Sequence, residues 1–455
     1  MAARGDVVVI RTDRISSDGS SIGRLPDGGV VFVRKALPRE TVKAKIIATK
    51  KSYSTATCVD VLEPHEERTT PFCPVYDRCG ACQLQHASYP LQLKLKRSIL
   101  EDAFRRICKR PFPPISPCVP SPDRTGYRNK TAQPIRMYRG RATMGYYARG
   151  SHDVVPMDSC PVSGPLIDNL FARASKILPT LGLEPYDERV ERGLLRHAIF
   201  RQGINSPDSL VSLVLSRHPT QEERDVLRRV LLPSLMEAVP TLRSFTLNIN
   251  TAPGNVILGP ETYVLHGDGL LREVLPPFAF DYDSTSFFQV NTNQARALFE
   301  HAAYTCSTGG GEEVLELFSG VGALTAFIAE RCARVTSVEE WPSAVEMMRK
   351  NMERNGLSDR VEVIEGEVGC VIPSLDGGFD SVVLDPPRTG CDADVLGAII
   401  ERRPDRVVYV SCNPATLARD AALLCDGGFL IEDLTCFDMF PQTVHVETVA
   451  CFKRA

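Results

Sequence analysis

The residue with the clearest chemical potential is Cys412, in the sequence Val-Tyr-Val-Ser-Cys-Asn-Pro of residues 408–414. The apolar run before it predicts a buried strand, and the Asn-Pro pair ends that strand at once. In an open α/β sheet, ligands bind beyond the carboxyl ends of the strands. A thiolate there is a good nucleophile. We therefore interpret Cys412 as a candidate catalytic nucleophile; a buried structural thiol is the alternative.

A glycine-containing turn, Glu-Leu-Phe-Ser-Gly-Val-Gly, occupies residues 316–322 between a predicted strand and a predicted helix. Gly320 and Gly322 permit a tight turn and let a ligand approach the backbone closely. Glu339 ends the next predicted strand, where a doubly wound fold places the carboxylate that binds a ribose. Thr325 stands where a dinucleotide site would have its third glycine, and no Lys-Ser/Thr pair follows. The pattern predicts a nucleoside site without phosphate recognition.

This turn resembles motif I of the S-adenosylmethionine-dependent methyltransferases, whose methyl donor has no phosphate. The resemblance implies an α/β, Rossmann-like catalytic domain of the class I methyltransferase type. It also implies that Phe318, Gly320 and Glu339 contact S-adenosylmethionine. Glu367, just past the third predicted strand, stands where this superfamily often has a polar partner for the adenine; an exposed loop carboxylate is the alternative.

A second motif, Asp385-Pro-Pro-Arg388, follows an apolar strand and resembles motif IV of methyltransferases that act on nucleobases. Amino-methylating families typically have an aromatic residue after the prolines, and RNA cytosine-5 methyltransferases have a cysteine after proline. Arg388 fits neither group. Over about residues 285–455, the chain is similar to the RNA uracil-5 methyltransferases. The shared motifs, in order, are Phe-Gln289-Val-Asn, Asp-Pro-Pro-Arg, Val-Ser-Cys-Asn-Pro and His-Val-Glu447-Thr-Val.

The resemblance implies covalent catalysis at a uridine. C5 of uracil is a poor nucleophile until a thiolate adds at C6, and a general base must later remove the C5 proton. By resemblance, Cys412 is the nucleophile, Glu447 is the base, and Gln289 and Asp385 belong to the donor site. From the residues alone His445 is a rival base, because histidine is the commoner one and strand alternation would put positions 445 and 447 on one face.

A cysteine motif, Cys73-x5-Cys79-x2-Cys82, lies far from these residues, and Cys160-Pro follows later. Three close cysteines, a remote fourth and a following proline are typical of iron–sulfur ligation. Zinc sites prefer paired Cys-x2-Cys ligands, and zinc is the alternative. The loop is also similar to the iron–sulfur loop of ribosomal members of the same family. The residues that complete the match are Gly80, Gln83, Gln85 and His86. We predict a [4Fe–4S] cluster with a structural or RNA-positioning role.

Three regions position these groups. Residues 1–63 alternate short strand candidates with turns, which predicts a small OB-like β-barrel similar to a TRAM domain, an RNA-binding module. Residues 64–275 predict a central α+β domain that carries the cysteine loop. Residues 276–455 alternate strands with helices, which predicts a mostly parallel sheet covered on both faces.

The charge distribution suggests a polyanionic partner. The net charge is −3, yet residues 1–149 contain 27 Lys and Arg against 13 Asp and Glu. Lys and Arg neutralise nucleic-acid phosphates; a solvated basic face is the alternative. Together with the family resemblance, this predicts RNA as the partner. The cysteine loop favours 23S ribosomal RNA, and the T-loop uridine of tRNA is the alternative target.

Composition is typical of an ordinary soluble protein, with 43% hydrophobic and 24% charged residues. There is no apolar run of about 18 residues, as a membrane span requires, and no signal peptide follows Met1. Fifteen cysteines without such a signal indicate a reducing compartment. We expect a cytoplasmic monomer with no membrane partner.

Overall fold

A closed five-stranded barrel forms the N-terminal part of the computed structural model, which describes residues 3–307 and 309–455. Every second side chain of the central strands points inward, as the period of a β-strand requires, and Ile10, Val31, Val42 and Ile46 form its core. The strand order is β1-β2-β3-β5-β4, and the predicted small barrel is confirmed. Its strands are β1 (Val7–Ile15), β2 (Ser21–Arg24), β3 (Val30–Arg34), β4 (Thr41–Thr49) and β5 (Tyr53–Glu63).

A seven-stranded sheet follows the cysteine loop and helix α1 (Tyr89–Ala103), in the order β12-β11-β10-β9-β6-β7-β8. Helices α2 and α4 cover one face, where Phe171, Phe200 and Phe245 are fully buried. The elements are β6 (Lys130–Tyr138), β7 (Arg141–Tyr147), β8 (Val154–Pro156), α2 (Pro165–Ile177), β9 (Leu195–Gln202), β10 (Ser209–Leu215), α3 (Gln221–Val226), α4 (Leu232–Ala238), β11 (Leu242–Ile249) and β12 (Glu261–His266).

A hairpin of β13 (Leu270–Leu275) and β14 (Phe278–Asp283) crosses the predicted domain boundary at residue 276. Leu271 and Phe280 of this hairpin belong to the same buried cluster as Leu210 of the central sheet and Val314 of the C-terminal sheet. The hairpin therefore joins the two sheets through one core. The division of the chain at residue 276 stays a prediction.

The C-terminal sheet has the order β17-β16-β15-β18-β19-β21-β20, in which five strands are parallel and β21 lies antiparallel between β19 and β20. Helices separate the strands along the chain, and the predicted α/β fold is confirmed. The elements are α5 (Thr292–Cys306), β15 (Glu313–Leu317), α6 (Ala323–Ala329), β16 (Arg334–Glu339), α7 (Pro342–Arg354), β17 (Val361–Glu365), α8 (Val368–Val371), β18 (Ser381–Leu384), α9 (Ala393–Arg402), β19 (Arg406–Ser411), α10 (Pro414–Asp426), β20 (Phe429–Phe437) and β21 (Glu447–Arg454).

The helices of the described residues are short, and α1 and α5 have 15 residues each. A bilayer requires about 20 consecutive apolar residues in a helix. Within the ranges 3–307 and 309–455, no helix has both the length and the apolar character that a membrane span needs.

Candidate active site

A cavity of about 750 Å³ lies at the carboxyl edge of the C-terminal sheet. Parallel strands end at the same edge, so the loops that follow β15, β16, β18 and β19 converge there. Strand β21 begins at this edge because it runs antiparallel to β19. Seven of the eight residues predicted for catalysis and donor binding line the cavity: Gln289, Phe318, Gly320, Glu339, Asp385, Cys412 and Glu447.

Glu367, which was expected to contact the adenine, is the exception and does not lie at this cavity. The residue is exposed and is not among those that line the cavity. Helix α8 starts directly after it, so the Glu367 carboxylate accepts a hydrogen bond from the thiol of Cys370 at 3.5 Å. The position of Glu367 favours the alternative of an exposed loop carboxylate, and its contact with adenine stays a prediction.

The glycine turn has the backbone that its sequence predicts. Gly320 and Gly322 have φ angles of 58° and 84°, in the left-handed region that favours glycine, and Phe318 has 62°. The carboxylate of Glu339 accepts a hydrogen bond from Gly320 N at 2.8 Å and another from Trp341 N at 3.0 Å. These bonds fix the carboxylate against the turn and leave further lone pairs that can accept the hydroxyls of a ribose.

Cys412 lies between the end of β19 and the start of α10. Asn413 is the N-cap residue of α10, and its Oδ1 accepts a hydrogen bond from Ala415 N at 3.1 Å. The same side chain donates to the carbonyl of Arg388 at 3.0 Å, which ties the Cys412 loop to the Asp385 loop. Burial raises the pKa of the Cys412 thiol to about 12, the charge of Glu447 contributes, and Arg388 opposes the rise. In the absence of ligands the thiol is therefore protonated at neutral pH.

Two carboxyl groups share the cavity with this thiol. Glu447 is 3% exposed, and burial, followed by the charge of Asp385, raises its pKa well above the usual range. Burial raises the pKa of Asp385 to about 7. The pKa of Asp385 lies near neutral pH, so this carboxyl can gain and lose a proton there, and the raised pKa of Glu447 makes its carboxylate a stronger base than an exposed one.

His445 does not line the cavity. It precedes β21, which begins at Glu447, so the strand alternation that would put the two residues on one face does not apply. Its ring packs against Phe440 at a centroid distance of 5.9 Å. Burial lowers the pKa of His445 to about 4. The geometry favours Glu447 over His445 as the group that faces a ligand.

Several other residues line the cavity, and sequence reasoning gave them no role: Leu258, Phe287, Glu316 and Trp341. Glu316 opens the glycine motif, is 2% exposed and accepts a hydrogen bond from Ser337 Oγ at 3.0 Å. Trp341 is the single tryptophan of the chain and lies two residues after Glu339. This closeness to a predicted donor-site residue could have indicated that Trp341 lines the cavity. Leu258 comes from the loop after β11, and no local pattern places it here.

The four predicted cluster cysteines, Cys73, Cys79, Cys82 and Cys160, line a second, small cavity between the cysteine loop and the start of α2. Gly80 packs so tightly on the end of β7 that an added Cβ would lie 3.1 Å from Arg149 and Tyr147 backbone atoms. Burial raises the pKa of Cys82 to about 12, and the charge of Cys160 contributes. Burial also raises the pKa of Cys73 and Cys79, so three of the four neighbouring thiols lie where their charged form is disfavoured.

No group of three or more His, Cys, Asp or Glu side chains in the described residues is arranged to hold a metal ion. A single zinc ion would require four sulfur atoms at about 2.3 Å from one centre. In a [4Fe–4S] cluster each thiolate binds a different iron, so the sulfur atoms stand further apart. Four thiols around one cavity are a donor set that suits either a [4Fe–4S] cluster or a structural zinc ion.

Comparison with known proteins gives matches along the whole chain. A profile described as tRNA (Uracil-5-)-methyltransferase matches residues 374–455, one described as Conserved hypothetical protein 95 matches 292–411, and the TRAM domain profile matches 2–59. An uncharacterized RNA methyltransferase of Halalkalibacterium halodurans is 35% identical over 453 residues, which are 99% of this chain and 97% of the relative. One of Gloeobacter violaceus is 36% identical with the same coverage.

Among solved structures, the tRNA (uracil-54, C5)-methyltransferase of Pyrococcus abyssi in complex with S-adenosyl-L-homocysteine superposes with a TM-score of 0.76. The match covers 97% of this chain and 99% of that chain, at 24% sequence identity. At this identity the likeness establishes that the two chains share their fold from the barrel to the C-terminal sheet.

Proposed function

The chain belongs to the S-adenosylmethionine-dependent RNA uracil-5-methyltransferase family with an N-terminal TRAM domain, and on this premise we propose that it methylates C5 of a specific uridine through a covalent bond between Cys412 and C6. The observation that carries the proposal is the convergence of Cys412, Glu447, Asp385 and the glycine turn on one cavity.

In the proposed reaction, the Cys412 thiol first gives up its proton to solvent. The thiolate then adds to C6 of the uracil, and the ring electrons move to form an enolate with a nucleophilic C5. S-adenosylmethionine supplies the methyl group that C5 accepts. The carboxylate of Glu447 then removes the C5 proton, the C5–C6 double bond re-forms, and the Cys412 thiolate leaves. The target base must leave its stack to reach the cavity, which costs a few kcal/mol.

The donor side of the cavity is assigned to the glycine turn. In our proposal Glu339 accepts the ribose hydroxyls, Phe318 and Gly320 border the nucleoside, and Gln289 and Asp385 face the reacting end. Gln289 is held from outside the C-terminal sheet, because Asn129 Nδ2 donates to its carbonyl at 2.8 Å. The size of the cavity, about 750 Å³, lies within the range of small-molecule sites and is compatible with donor and base together.

For the RNA, we propose 23S ribosomal RNA, because the cysteine loop is similar to that of the ribosomal members. The runner-up is a tRNA uridine, which the description of the profile matched at residues 374–455 favours. In both cases the RNA would be bound by the barrel and by the other basic residues of positions 1–149. Mapping 5-methyluridines in ribosomal and transfer RNA from a strain that lacks this protein decides between them.

We also propose that Cys73, Cys79, Cys82 and Cys160 hold a [4Fe–4S] cluster. The convergence of the four thiols on one cavity supports this assignment. The cavity shares no lining residue with the candidate active site, so the cluster would fix the loop and supply no electron to the methyl transfer.

RNA that contains 5-fluorouridine tests the mechanism. Fluorine at C5 cannot be removed as a proton, so the wild-type protein with methyl donor should form a complex with RNA that survives denaturation. Cys412→Ser should form none. Cys370→Ser is the matched control, because Cys370 is exposed and does not line the cavity, and it should behave as wild type.

Absence of a complex from protein that methylates the same RNA would refute the covalent mechanism. Trapping by 5-fluorocytidine instead would identify a cytosine-5 methyltransferase, the alternative against which Arg388 argues.

A further inference from the structure

The segment 438–446, which connects β20 to Glu447, is held by residues from the N-terminal half of the chain. Lys96 of α1 forms an ion pair with Asp438, and both side chains are fully buried. Lys96 Nζ also donates to the carbonyl of Phe440 at 2.9 Å, and Tyr127 Oη donates to the carbonyl of Pro441 at 3.0 Å. The start of the segment is therefore anchored outside its own sheet.

Gln442 is the centre of this anchoring. Its φ angle of 72° is unusual for a residue other than glycine, so the surroundings must hold it there. Its carbonyl accepts two backbone hydrogen bonds, from Gln83 N at 3.1 Å and from Leu84 N at 2.9 Å. Gln83 is the residue directly after Cys82, so the cysteine loop and the segment 438–446 meet at this carbonyl.

A pair of buried amides completes the anchoring. Gln442 N donates to Gln92 Oε1 at 2.9 Å, and Gln92 Nε2 donates to Gln442 Oε1 at 3.0 Å. Gln92 and Gln442 are 2% and 5% exposed. Buried hydrogen bonds of this kind fix one geometry, because leaving either partner unpaired is costly.

Glu447 depends on this geometry because it is the first residue of β21. The sheet fixes the strand from Glu447 onward, since Glu447 pairs with Phe437 of β20. The residues directly before it belong to the anchored segment. Thr443 stabilises the end of the segment nearest Glu447, because its Oγ1 accepts a hydrogen bond from His445 N at 3.3 Å. The direction of the Glu447 carboxyl into the cavity is thus set jointly by the sheet and by the segment.

We propose that Gln92 and Gln442 are positioning residues for the proton-removal step: their amide pair holds the segment 438–446 so that the Glu447 carboxylate reaches the C5 proton. The inference rests on the proposed function. In the step concerned, Glu447 takes the proton, the C5–H electrons form the C5–C6 double bond, and the C6–S bond breaks to return the Cys412 thiolate. The cysteine loop contributes to the same positioning through the carbonyl of Gln442.

Two variants test the pair separately. Gln92→Met keeps the volume and the helix preference but removes both amide bonds. Gln442→Gly removes the side chain and tolerates the positive φ angle. Ordinary uridine RNA and labelled methyl donor are used in single turnover, and both methyl transfer and the release of RNA from the covalent complex are followed. Rates are normalised to the fraction of protein that 5-fluorouridine RNA can trap, so partial unfolding does not imitate the effect.

We expect methyl transfer near the wild-type rate. Release of the RNA should be slower by on the order of ten-fold or more, because small misplacements of a catalytic group reduce the rate by large factors. The covalent complex should therefore accumulate. Asn355→Ala is the matched control. Its side-chain amide makes two reciprocal hydrogen bonds with the backbone of Ala279, at 3.0 and 2.9 Å, and it does not line the cavity. We expect release from this variant at the wild-type rate.

Release at the wild-type rate from both variants, or an equal loss of methyl transfer and release, would overturn the positioning role. The proposed function is tested separately by Glu447→Gln. If Glu447→Gln accumulates the covalent complex but Gln92→Met and Gln442→Gly do not, only the positioning role fails. If Glu447→Gln itself accumulates no complex, the assignment of Glu447 as the base fails.

Discussion

Cys412 and Glu447 flank the last residue pair of the antiparallel ladder between β19 and β21, and both line the same cavity. That pair is Ser411 with Thr448, so Cys412 directly follows the end of β19 and Glu447 is the first residue of β21. The pairing of β19 with β21 therefore brings the proposed nucleophile and the proposed base to one site.

Glu447→Gln should methylate its RNA once and then retain it. The amide cannot accept the C5 proton, so the Cys412–C6 bond persists after methyl transfer. Denaturing gels of single-turnover reactions measure the retained complex. His445→Gln should release RNA normally, since His445 does not line the cavity. If His445→Gln retained the RNA and Glu447→Gln released it normally, His445 and not Glu447 would be the base.

Alkylation of Cys412 should accelerate with pH. Burial and the neighbouring carboxylates raise the pKa of this thiol to about 12, and below that value each pH unit increases the thiolate about ten-fold. Because the Glu447 charge contributes to the rise, Glu447→Gln should react faster than wild type in alkaline solution, where the carboxyl is ionised. Peptide mass spectrometry after iodoacetamide treatment measures the rate, with Cys370 as internal reference. An identical Cys412 rate in both proteins would show that the two groups do not interact.

Glu316→Gln should stabilise the protein in alkaline solution. Burial raises the pKa of Glu316 from its usual 4.5 to about 8. Between these values the folded state binds more protons than the unfolded state, so the free energy of unfolding falls as pH rises, by about 1.4 kcal/mol per pH unit. The amide does not titrate. The melting temperature of the variant minus that of the wild type, both measured without methyl donor, should therefore increase from acidic to alkaline pH. A difference that does not change with pH would show that Glu316 is not a buried group with a raised pKa.

Protein purified without oxygen should be brown and contain about four iron atoms per chain. Replacement of Cys73, Cys79, Cys82 or Cys160 by Ser should lower the iron content. Cys58→Ser, in the barrel and outside the cysteine cavity, should leave it unchanged. Colourless protein that contains zinc in a one-to-one ratio would assign the loop to the alternative metal.

The strand ends were predictable because each motif couples a local signal to a general rule. Val-Tyr-Val before Cys412 and the apolar residues before Asp385 predict buried strands, and parallel strands end at one edge. Glu367 lies away from this cavity, because a short helix begins directly after it and its carboxylate is exposed. For His445 and Glu447 the expectation rested on strand alternation, which does not apply because the strand begins only at Glu447.

The sequence by itself identified the candidate groups: a thiol at a strand end, a glycine turn with its carboxylate, and four cysteines in one pattern. These are properties of residue type and short spacing. The tertiary structure decided which of them meet. Gln92 and Gln442 are 350 residues apart and yet share two hydrogen bonds, and the pairing of β19 with β21 brings Cys412 and Glu447 to one cavity. Such contacts depend on long-range packing and strand pairing, which no local pattern encodes.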